Sequence, residues 1–284
     1  MIPNIKLIAD SGSTKTEWCL LKDKKPFIFN SQGMSPYFLD DEGLTKIIKE
    51  EVLPNLKGNN VHEIYFYGTG CKDSANKQRI KKAFKKLFKE ADIFVENDLF
   101  GAARSLCGSE KGIACILGTG SNSCYFNGKK IMKNSPGLGY VLGDEGSGAI
   151  LGKKVIQHYL YDIFEEDMRV RFEEKFNTTA AQILNSVYHQ PLPNKYLATF
   201  TQFLVENRGH YMIENIIEDG LNEFFYTHII RYPESKTQPI HFTGGVAFGF
   251  KEVIENLCLG YDLELGKITR TPMEGLIQFH LSCN

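Results

Sequence analysis

Two short turns rich in glycine and hydroxyl residues could bind phosphate. The first lies in LIADSGSTKTEWCLL (7–21) and the second in CILGTGSNSCYFNG (115–128). In each, an apolar strand leads into a turn that contains Gly-Ser, and a second strand follows. Glycine lets the backbone approach an anion closely, and the N–H and hydroxyl groups donate hydrogen bonds to its oxygens. Two turns of the same design predict a duplicated fold that binds one polyphosphate from both sides.

The Lys-Thr pair in the first turn does not fit a P-loop. A P-loop needs glycine directly before the Lys-Ser/Thr pair and a helix directly after it. Here Thr14 precedes Lys15, and the residues that follow, EWCLLKD, have the pattern of a strand. A third glycine turn, FTGGVAFG (242–249), follows a strand and could approach a nucleoside. The sequence therefore predicts a nucleotide site of another class.

Alternating strands and helices must position these turns. The segments 16–23 and 26–30 continue the first strand as a β-meander. Apolar runs and helical spacing then predict further elements: strands at 5–9, 63–68, 92–97, 112–118, 239–245 and 262–266, and helices at 42–56, 74–91, 98–108, 250–260 and 272–283. Residues 145–230 have a mostly helical pattern. This order predicts an α/β protein with a mixed sheet and a domain boundary between Gly108 and Gly112.

Composition narrows the class of protein. The 284 residues are 42% hydrophobic and 24% charged with a net charge of -1, which predicts a soluble globular protein with no bias toward nucleic acid or a membrane surface. The basic segment 74–91 is interpreted as a solvated helix that covers a sheet. No signal peptide is evident at the start. Seven cysteines without a C-x-x-C pair argue against zinc or a disulfide framework and favour the cytoplasm.

The motifs together resemble the N-acetylglucosamine kinase branch of the actin/hexokinase/Hsp70-like ATPase superfamily. This branch is grouped with the activator ATPases of benzoyl-CoA reductase and 2-hydroxyacyl-CoA dehydratase. ADSGSTKTE resembles the first phosphate motif, GTGSNS the second and FTGGVA the adenosine motif, while PGLGYVLGDEGSGAILG (136–152) resembles the sugar-kinase stretch. The resemblance spans essentially the whole chain, with its motifs in order.

This resemblance implies a fold and a domain organisation. Two ribonuclease H-like (actin-like ATPase) domains are expected, each a mixed sheet flanked by helices, with the active site in the cleft between them. The expected bounds are 1–110 for the N-terminal domain and 111–271 for the C-terminal domain, which carries a helical insertion. The C-terminal helix (272–284) could pack back on the first domain, as in relatives. Whether the chain forms a homodimer is left open.

The resemblance also implies ATP and Mg²⁺ as cofactors. Asp10 suits Mg²⁺, directly or through water, because a carboxylate beside a triphosphate is repelled unless a cation intervenes. The alternative is an aspartate that caps its own turn. The three turns are expected to contact the nucleotide through ten residues: Gly12, Ser13, Thr14, Lys15, Gly118, Thr119, Gly120, Ser121, Gly244 and Gly245.

Asp98 is the candidate catalytic base. It follows a strand and opens a helix, where α/β sites form, and a base there would take the proton of the acceptor hydroxyl. An N-cap aspartate is the alternative. Asp144 of GDEGS is expected to bind sugar hydroxyls, again with a helix cap as the alternative, and Glu145 receives no role. The other expected substrate contacts are Ser35, Thr69, Gly70, Gly139 and Tyr140.

The implied activity is ATP-dependent phosphorylation of an amino sugar by base-assisted in-line transfer. N-acetylglucosamine is the first candidate acceptor, followed by N-acetylmuramic acid and glucosamine. Family members commonly carry Asn where this chain has Ser35, so the exact acceptor and the hydroxyl that is phosphorylated stay open. Two other classes are retained as alternatives: an ATPase that activates a partner enzyme, as the dehydratase activators do, and a sugar-sensing homologue without catalysis.

Overall fold

The computed structural model of the protein describes residues 4–12 and 14–282. The chain divides into two compact units, each with its own sheet. The first unit comprises Met1–Glu110, Asn127–Ile131 and Thr271–Asn284, and the second comprises Lys111–Phe126 and Met132–Arg270. The expected domain bounds, 1–110 and 111–271, stay a prediction.

The first unit is built on a five-stranded mixed sheet. Its strands are Lys6–Ser11 (β1), Lys15–Lys22 (β2), Lys25–Gln32 (β3), Glu63–Gly68 (β4) and Asp92–Asn97 (β5). The spatial order is β3-β2-β1-β4-β5, with β1, β2 and β3 antiparallel and β1, β4 and β5 parallel. A strand therefore follows Lys15 directly, where a P-loop would have a helix. The predicted meander and mixed sheet are confirmed.

Helices from the middle of the first unit flank this sheet. They are Asp41–Ile47 (α1), Ser74–Lys85 (α2) and Asp98–Cys107 (α3). The single helix predicted at 42–56 is wrong in its second half, because α1 continues as a π-helix and then as a 3₁₀-helix that starts at Leu53 and contains Pro54. The basic helix α2 buries Ile80 and Phe84 in the core beside Trp18. Its interpretation as a solvated cover of the sheet is confirmed.

The second unit has its own five-stranded sheet, in the order β10-β9-β6-β7-β8. The strands are Lys111–Leu117 (β6), Ser121–Asn127 (β7), Ile131–Ser135 (β8), Ile240–Thr243 (β9) and Leu265–Thr269 (β10). β6 pairs in parallel with β9, and β9 with β10. β10 begins at Leu265 rather than at the predicted 262, because Asp262 has φ +55° and closes a turn in which the Leu263 N–H donates to the Cys258 carbonyl.

Helices make up most of the rest of this unit, as predicted. They are Gly139–Leu142 (α4), Gly148–Leu160 (α5), Glu166–Phe176 (α6), Ala180–His189 (α7), Pro193–Thr199 (α8), Thr201–Glu206 (α9), Tyr211–Phe224 (α10), Gly245–Gly249 (α11) and Lys251–Gly260 (α12). α10 runs on into a π-helical turn, Phe225–Ile229. Their apolar faces form one core with β6 and β9, which includes Phe172, Phe203 and Phe242.

The last helix, Met273–Ser282 (α13), belongs to the first unit and packs against α3. The Ser105 hydroxyl donates to the Pro272 carbonyl at 2.7 Å. A Cβ on Gly275 would lie 2.3 Å from the Ser105 carbonyl oxygen, so glycine is required for this close approach. Within residues 4–12 and 14–282, no helix is both long enough and apolar enough to cross a membrane.

Candidate active site

Asp10 lies at the end of β1 beside a second carboxylate. The strand register sets Glu17 of β2 directly opposite Asp10, so both side chains lie on the sheet face that α3 covers. Burial raises the pKa of Asp10 to about 7, the charges of Asp98 and Glu17 add to this, and Lys15 opposes it. The Gly12 N–H donates to the Lys15 carbonyl at 3.0 Å.

The first glycine turn is held at both of its ends. The Ser11 and Thr16 hydroxyls lie 2.7 Å apart, and the Gly33 N–H donates to the Thr14 carbonyl at 3.0 Å. Gly12, Thr14 and Lys15 are exposed, as contact with a phosphate requires. Ser13, the remaining predicted member of this turn, lies outside the described residues.

Asp98 opens α3, but it does not cap the helix. The N-cap is Asn97, whose Oδ1 accepts from the Phe100 N–H at 2.8 Å, so the cap alternative for Asp98 is wrong. The Asp98 carboxylate accepts from the Leu99 N–H at 2.9 Å and bonds to the Thr69 side chain. Burial raises its pKa, and these hydrogen bonds oppose the rise. A held carboxylate with increased proton affinity suits a general base.

Of the residues predicted to contact substrate in the first unit, Thr69 bonds to Asp98, and Ser35 and Gly70 lie close to each other. Thr69 follows β4, bonds to the Asp98 carboxylate, and donates its N–H to the Ser11 carbonyl at 2.8 Å. Gly70 has φ +82°, and a Cβ there would lie 3.2 Å from the Ser35 hydroxyl. Ser35 is only 1% exposed, so its hydroxyl faces Gly70 rather than solvent. Thr69 is thus the member of this group that touches Asp98.

The second glycine turn is tied to the start of α5. The Gly148 N–H donates to the Gly118 carbonyl at 2.8 Å, and the Ala149 N–H donates to the Thr119 carbonyl at 3.1 Å. The Ser121 side chain is 8% exposed, and its hydroxyl oxygen is buried without a hydrogen-bond partner in the part of the chain that the structure describes. Because an unpaired buried hydroxyl costs free energy, the turn fits a polar ligand such as a phosphate.

Asp144 faces this second turn. Its carboxylate accepts from the Ser121 N–H, and a Cβ on Gly120 would lie 3.0 Å from the Asp144 Oδ2 atom. The N-cap of α5 is Ser147, whose hydroxyl accepts from the Ile150 N–H at 3.3 Å, so the cap alternative for Asp144 is wrong. Burial raises the pKa of Asp144.

The third glycine turn packs on the end of β6. Gly244 has φ +123°, and a Cβ there would lie 2.1 Å from the Leu117 carbonyl oxygen, so only glycine fits. The structure thereby brings this turn beside the turn that starts at Gly118, while Gly245 is exposed and begins α11. Gly139 and Tyr140 lie in α4, and the Tyr140 side chain packs against the core of the second unit.

Comparison with known proteins identifies the family of this chain. The chain matches the crystal structure of a protein proposed to be an N-acetylglucosamine kinase, from Porphyromonas gingivalis, with 39% identity and a TM-score of 0.94 over 98% of this chain and 99% of that chain. This chain belongs to the N-acetylglucosamine kinase-like branch of the actin/hexokinase/Hsp70 ATPase superfamily. The predicted family and its two-sheet α/β fold are confirmed.

Two further relatives extend the comparison of this kinase-like chain. The structure of another proposed N-acetylglucosamine kinase, from Chromobacterium violaceum, has a TM-score of 0.75 at 14% identity over 97% of this chain and 98% of that chain, which supports the fold alone. An N-acetylmuramic acid/N-acetylglucosamine kinase from Clostridium acetobutylicum is 26% identical over 200 residues, 65% of this chain and 64% of that protein's length. No family model matches the chain.

Three residues at or near the candidate site were not predicted from the sequence. Glu17 has a buried carboxylate oxygen without a partner in the described chain, and strand pairing is the signal that could have placed it opposite Asp10. Asn97 takes the capping position, which its type would have allowed. His228 bonds to Glu145, which lies 83 positions away in the sequence, and no local sequence pattern predicts this bond.

Proposed function

We propose that this protein is an ATP-dependent kinase that phosphorylates a hydroxyl of an amino sugar, with N-acetylglucosamine as the first candidate. The observation that carries the proposal is the Asp98 carboxylate, held by Thr69 in a chain that matches a proposed N-acetylglucosamine kinase over its whole length. The Clostridium acetobutylicum relative is named for N-acetylmuramic acid as well, so that sugar is the second candidate and glucosamine the third.

Asp98 acts as the general base. Its carboxylate accepts the proton of the acceptor hydroxyl while the new O–P bond forms and the bond between the γ-phosphorus and ADP breaks. The hydrogen bonds from Leu99 and Thr69 fix the direction of the carboxylate, so that it does not have to reorganise during transfer. The raised pKa brings its proton affinity closer to what transfer at neutral pH requires.

Asp10 is the proposed Mg²⁺ residue, directly or through water. When bound, the ion would offset charge on the phosphates, which is the chemistry that phosphoryl transfer most needs. The surroundings of Asp10 support this assignment. Burial and the charges of Asp98 and Glu17 oppose ionisation of its carboxylate, so a bound cation would stabilise the ionised form. The buried hydroxyl of Ser121 would donate to a phosphate oxygen, and the exposed turn at Thr14 and Lys15 would contribute further donors.

The remaining roles concern the acceptor and the nucleoside. Asp144 binds sugar hydroxyls, and its carboxylate can accept from two of them at once. Ser35, Gly70, Gly139 and Tyr140 are proposed to complete the acceptor site, and Gly244 and Gly245 to approach the nucleoside.

The described cysteines bear on the compartment and on the alternative function. All six are buried thiols. This supports the proposal of a reducing cytoplasm, where thiols persist. It also favours a sugar kinase over an activator ATPase, because a cluster shared between subunits needs cysteine sulfur at a surface.

The test is ADP release from Mg·ATP against a panel of amino sugars, with the product identified by mass spectrometry. Asp98→Asn is expected to lower sugar-dependent turnover by about 10²- to 10⁴-fold, because it removes the base and keeps the shape. Asp92→Asn is the matched control, since Asp92 is exposed at the start of β5, the strand that leads into Asp98. Sugar-independent turnover that Asp98→Asn leaves unchanged would overturn the kinase and point to a partner protein.

A further inference from the structure

A single buried imidazole joins the two ends of residues 136–144. His228 lies in the π-helical turn after α10 and is 5% exposed. Its Nδ1 lies 2.7 Å from the Ser135 hydroxyl, and its Nε2 lies 2.9 Å from the Glu145 Oε2 atom. Ser135 ends β8, and Glu145 directly follows Asp144. The ring therefore closes the base of a segment that includes α4.

Both nitrogens of the ring are hydrogen-bonded. A carboxylate only accepts, so the His228 Nε2 atom carries a proton and donates to Glu145. The Nδ1 atom bonds to the Ser135 hydroxyl. The Ser135 N–H donates to the Tyr232 hydroxyl at 2.7 Å, and that hydroxyl donates to the Ser123 carbonyl at 3.0 Å. Since every group is paired, the network favours one geometry.

Apart from Tyr140, which packs against the core of the second unit, and Asp144, which bonds to the Ser121 N–H, the segment that the ring closes is largely exposed. α4 is a single turn, and Leu138, Val141 and Leu142 are all more than half exposed. Asp144 has φ +61°, a left-handed conformation that is unfavourable for a residue with a side chain. Something must offset this cost, and the side chain of the next residue, Glu145, is the one bonded to His228.

We propose that His228 is a positioning residue for the acceptor site. Through Glu145 it holds Asp144 in the left-handed conformation that directs the Asp144 carboxylate to the N–H of Ser121. This inference rests on the proposed function, in which Asp144 binds the sugar. Loss of the bond to Glu145 should weaken sugar binding and leave ATP binding and the transfer step nearly unchanged.

Two substitutions at one position separate positioning from simple stability. Glutamine places its amide near the former Nε2 position and can still donate to Glu145, whereas asparagine reaches only the Ser135 side. His228→Asn is expected to raise the KM for the sugar by about 10- to 100-fold, the effect of losing a hydrogen bond to a charged group. His228→Gln should stay within about threefold of the wild type, and the KM for ATP should change little in both.

Amide hydrogen exchange gives a readout that does not depend on activity. Residues 136–147 should lose protection in His228→Asn and keep it in His228→Gln. Equal behaviour of the two variants in exchange and in KM, or a parallel rise of both KM values, would overturn the proposal. If the wild type phosphorylates no sugar, the proposed function fails, and hydrogen exchange still decides whether His228 holds residues 136–147 in place. Glu145→Ala removes the same bond from the other side should His228→Asn not fold.

Discussion

Replacing Asp10 by asparagine should stabilise the free protein at neutral and alkaline pH while it removes the proposed activity. In the folded protein the pKa of Asp10 is raised from 3.8 to about 7 by burial and by the charges of Asp98 and Glu17. A difference of about three units at 1.36 kcal/mol each sets an upper bound of about 4 kcal/mol for the cost of ionising Asp10 on folding. Asp10 is partly exposed, so solvent screening reduces the expected gain to about 1–3 kcal/mol.

The pH dependence of this gain makes the prediction specific. Between pH 3.8 and 7 the folded protein keeps a proton on Asp10 that the unfolded chain has lost, so this residue makes stability fall as the pH rises. Asparagine does not titrate and has no such slope. The difference in unfolding free energy between Asp10→Asn and the wild type should therefore be small near pH 4 and largest near pH 8.

The assay is urea denaturation of both proteins at pH 5 and pH 8 without nucleotide or Mg²⁺. Asp92→Asn is a suitable control, because it removes an exposed carboxylate from the same sheet. A loss of stability in Asp10→Asn at pH 8, or a gain that is equal at both pH values, would refute the reasoning. A loss at pH 8 would mean that the Asp10 carboxylate is satisfied in the free protein, and an equal gain would mean that the stabilisation does not come from removing a titrating group.

Two other substitutions test the glycine turns. Ser121→Ala deletes a buried hydroxyl that has no hydrogen-bond partner in the described chain, so the melting temperature should not fall. The KM for ATP should rise about tenfold, because a donor to the phosphates is lost. A marked loss of stability would show that the hydroxyl is already hydrogen-bonded in the free protein. Gly244→Ala should lower the unfolding free energy by about 2–4 kcal/mol, because Gly244 has φ +123° and its Cβ would lie 2.1 Å from the Leu117 carbonyl oxygen. Gly245→Ala is the control, since a Cβ there has no atom within 4 Å. In the same melting experiment it should cost less than about 1 kcal/mol.

Much of the fold could be predicted because its strands are short apolar runs that turns interrupt. The strands predicted at 63–68 and 92–97 coincide with β4 and β5. Secondary-structure prediction failed where the backbone hydrogen-bonding pattern changes within a segment whose apolar residues keep a regular helical spacing. The helical spacing at 42–56 persists through Pro54, yet the backbone passes from α to π to 3₁₀ geometry. The spacing of apolar side chains indicates which face of a segment is buried. It does not indicate which carbonyl accepts the hydrogen bond from each backbone N–H.

Only the residues of the candidate site that lie in local sequence motifs could be predicted. The three turns and Asp98 follow from the order of strand, glycine and helix. The pairing of Glu17 with Asp10 depends on strand register, and the bond from His228 to Glu145 joins positions 83 residues apart. Contacts of this kind are created by the tertiary fold, so the residue types alone gave no reason to single them out.

The two helix-start aspartates show how a motif residue is kept available for function. An aspartate at such a position normally bonds to its own backbone, which is why a cap was a real alternative for Asp98 and for Asp144. In this protein neighbouring residues occupy the N-cap positions, since Asn97 caps α3 and Ser147 caps α5, and the Asp98 carboxylate accepts from the adjacent Leu99 N–H at 2.9 Å. The Asp98 carboxylate then meets Thr69, and the Asp144 carboxylate meets the N–H of Ser121. A second capping residue beside a helix-start aspartate is therefore a signal, readable in a sequence, that the aspartate can serve a ligand.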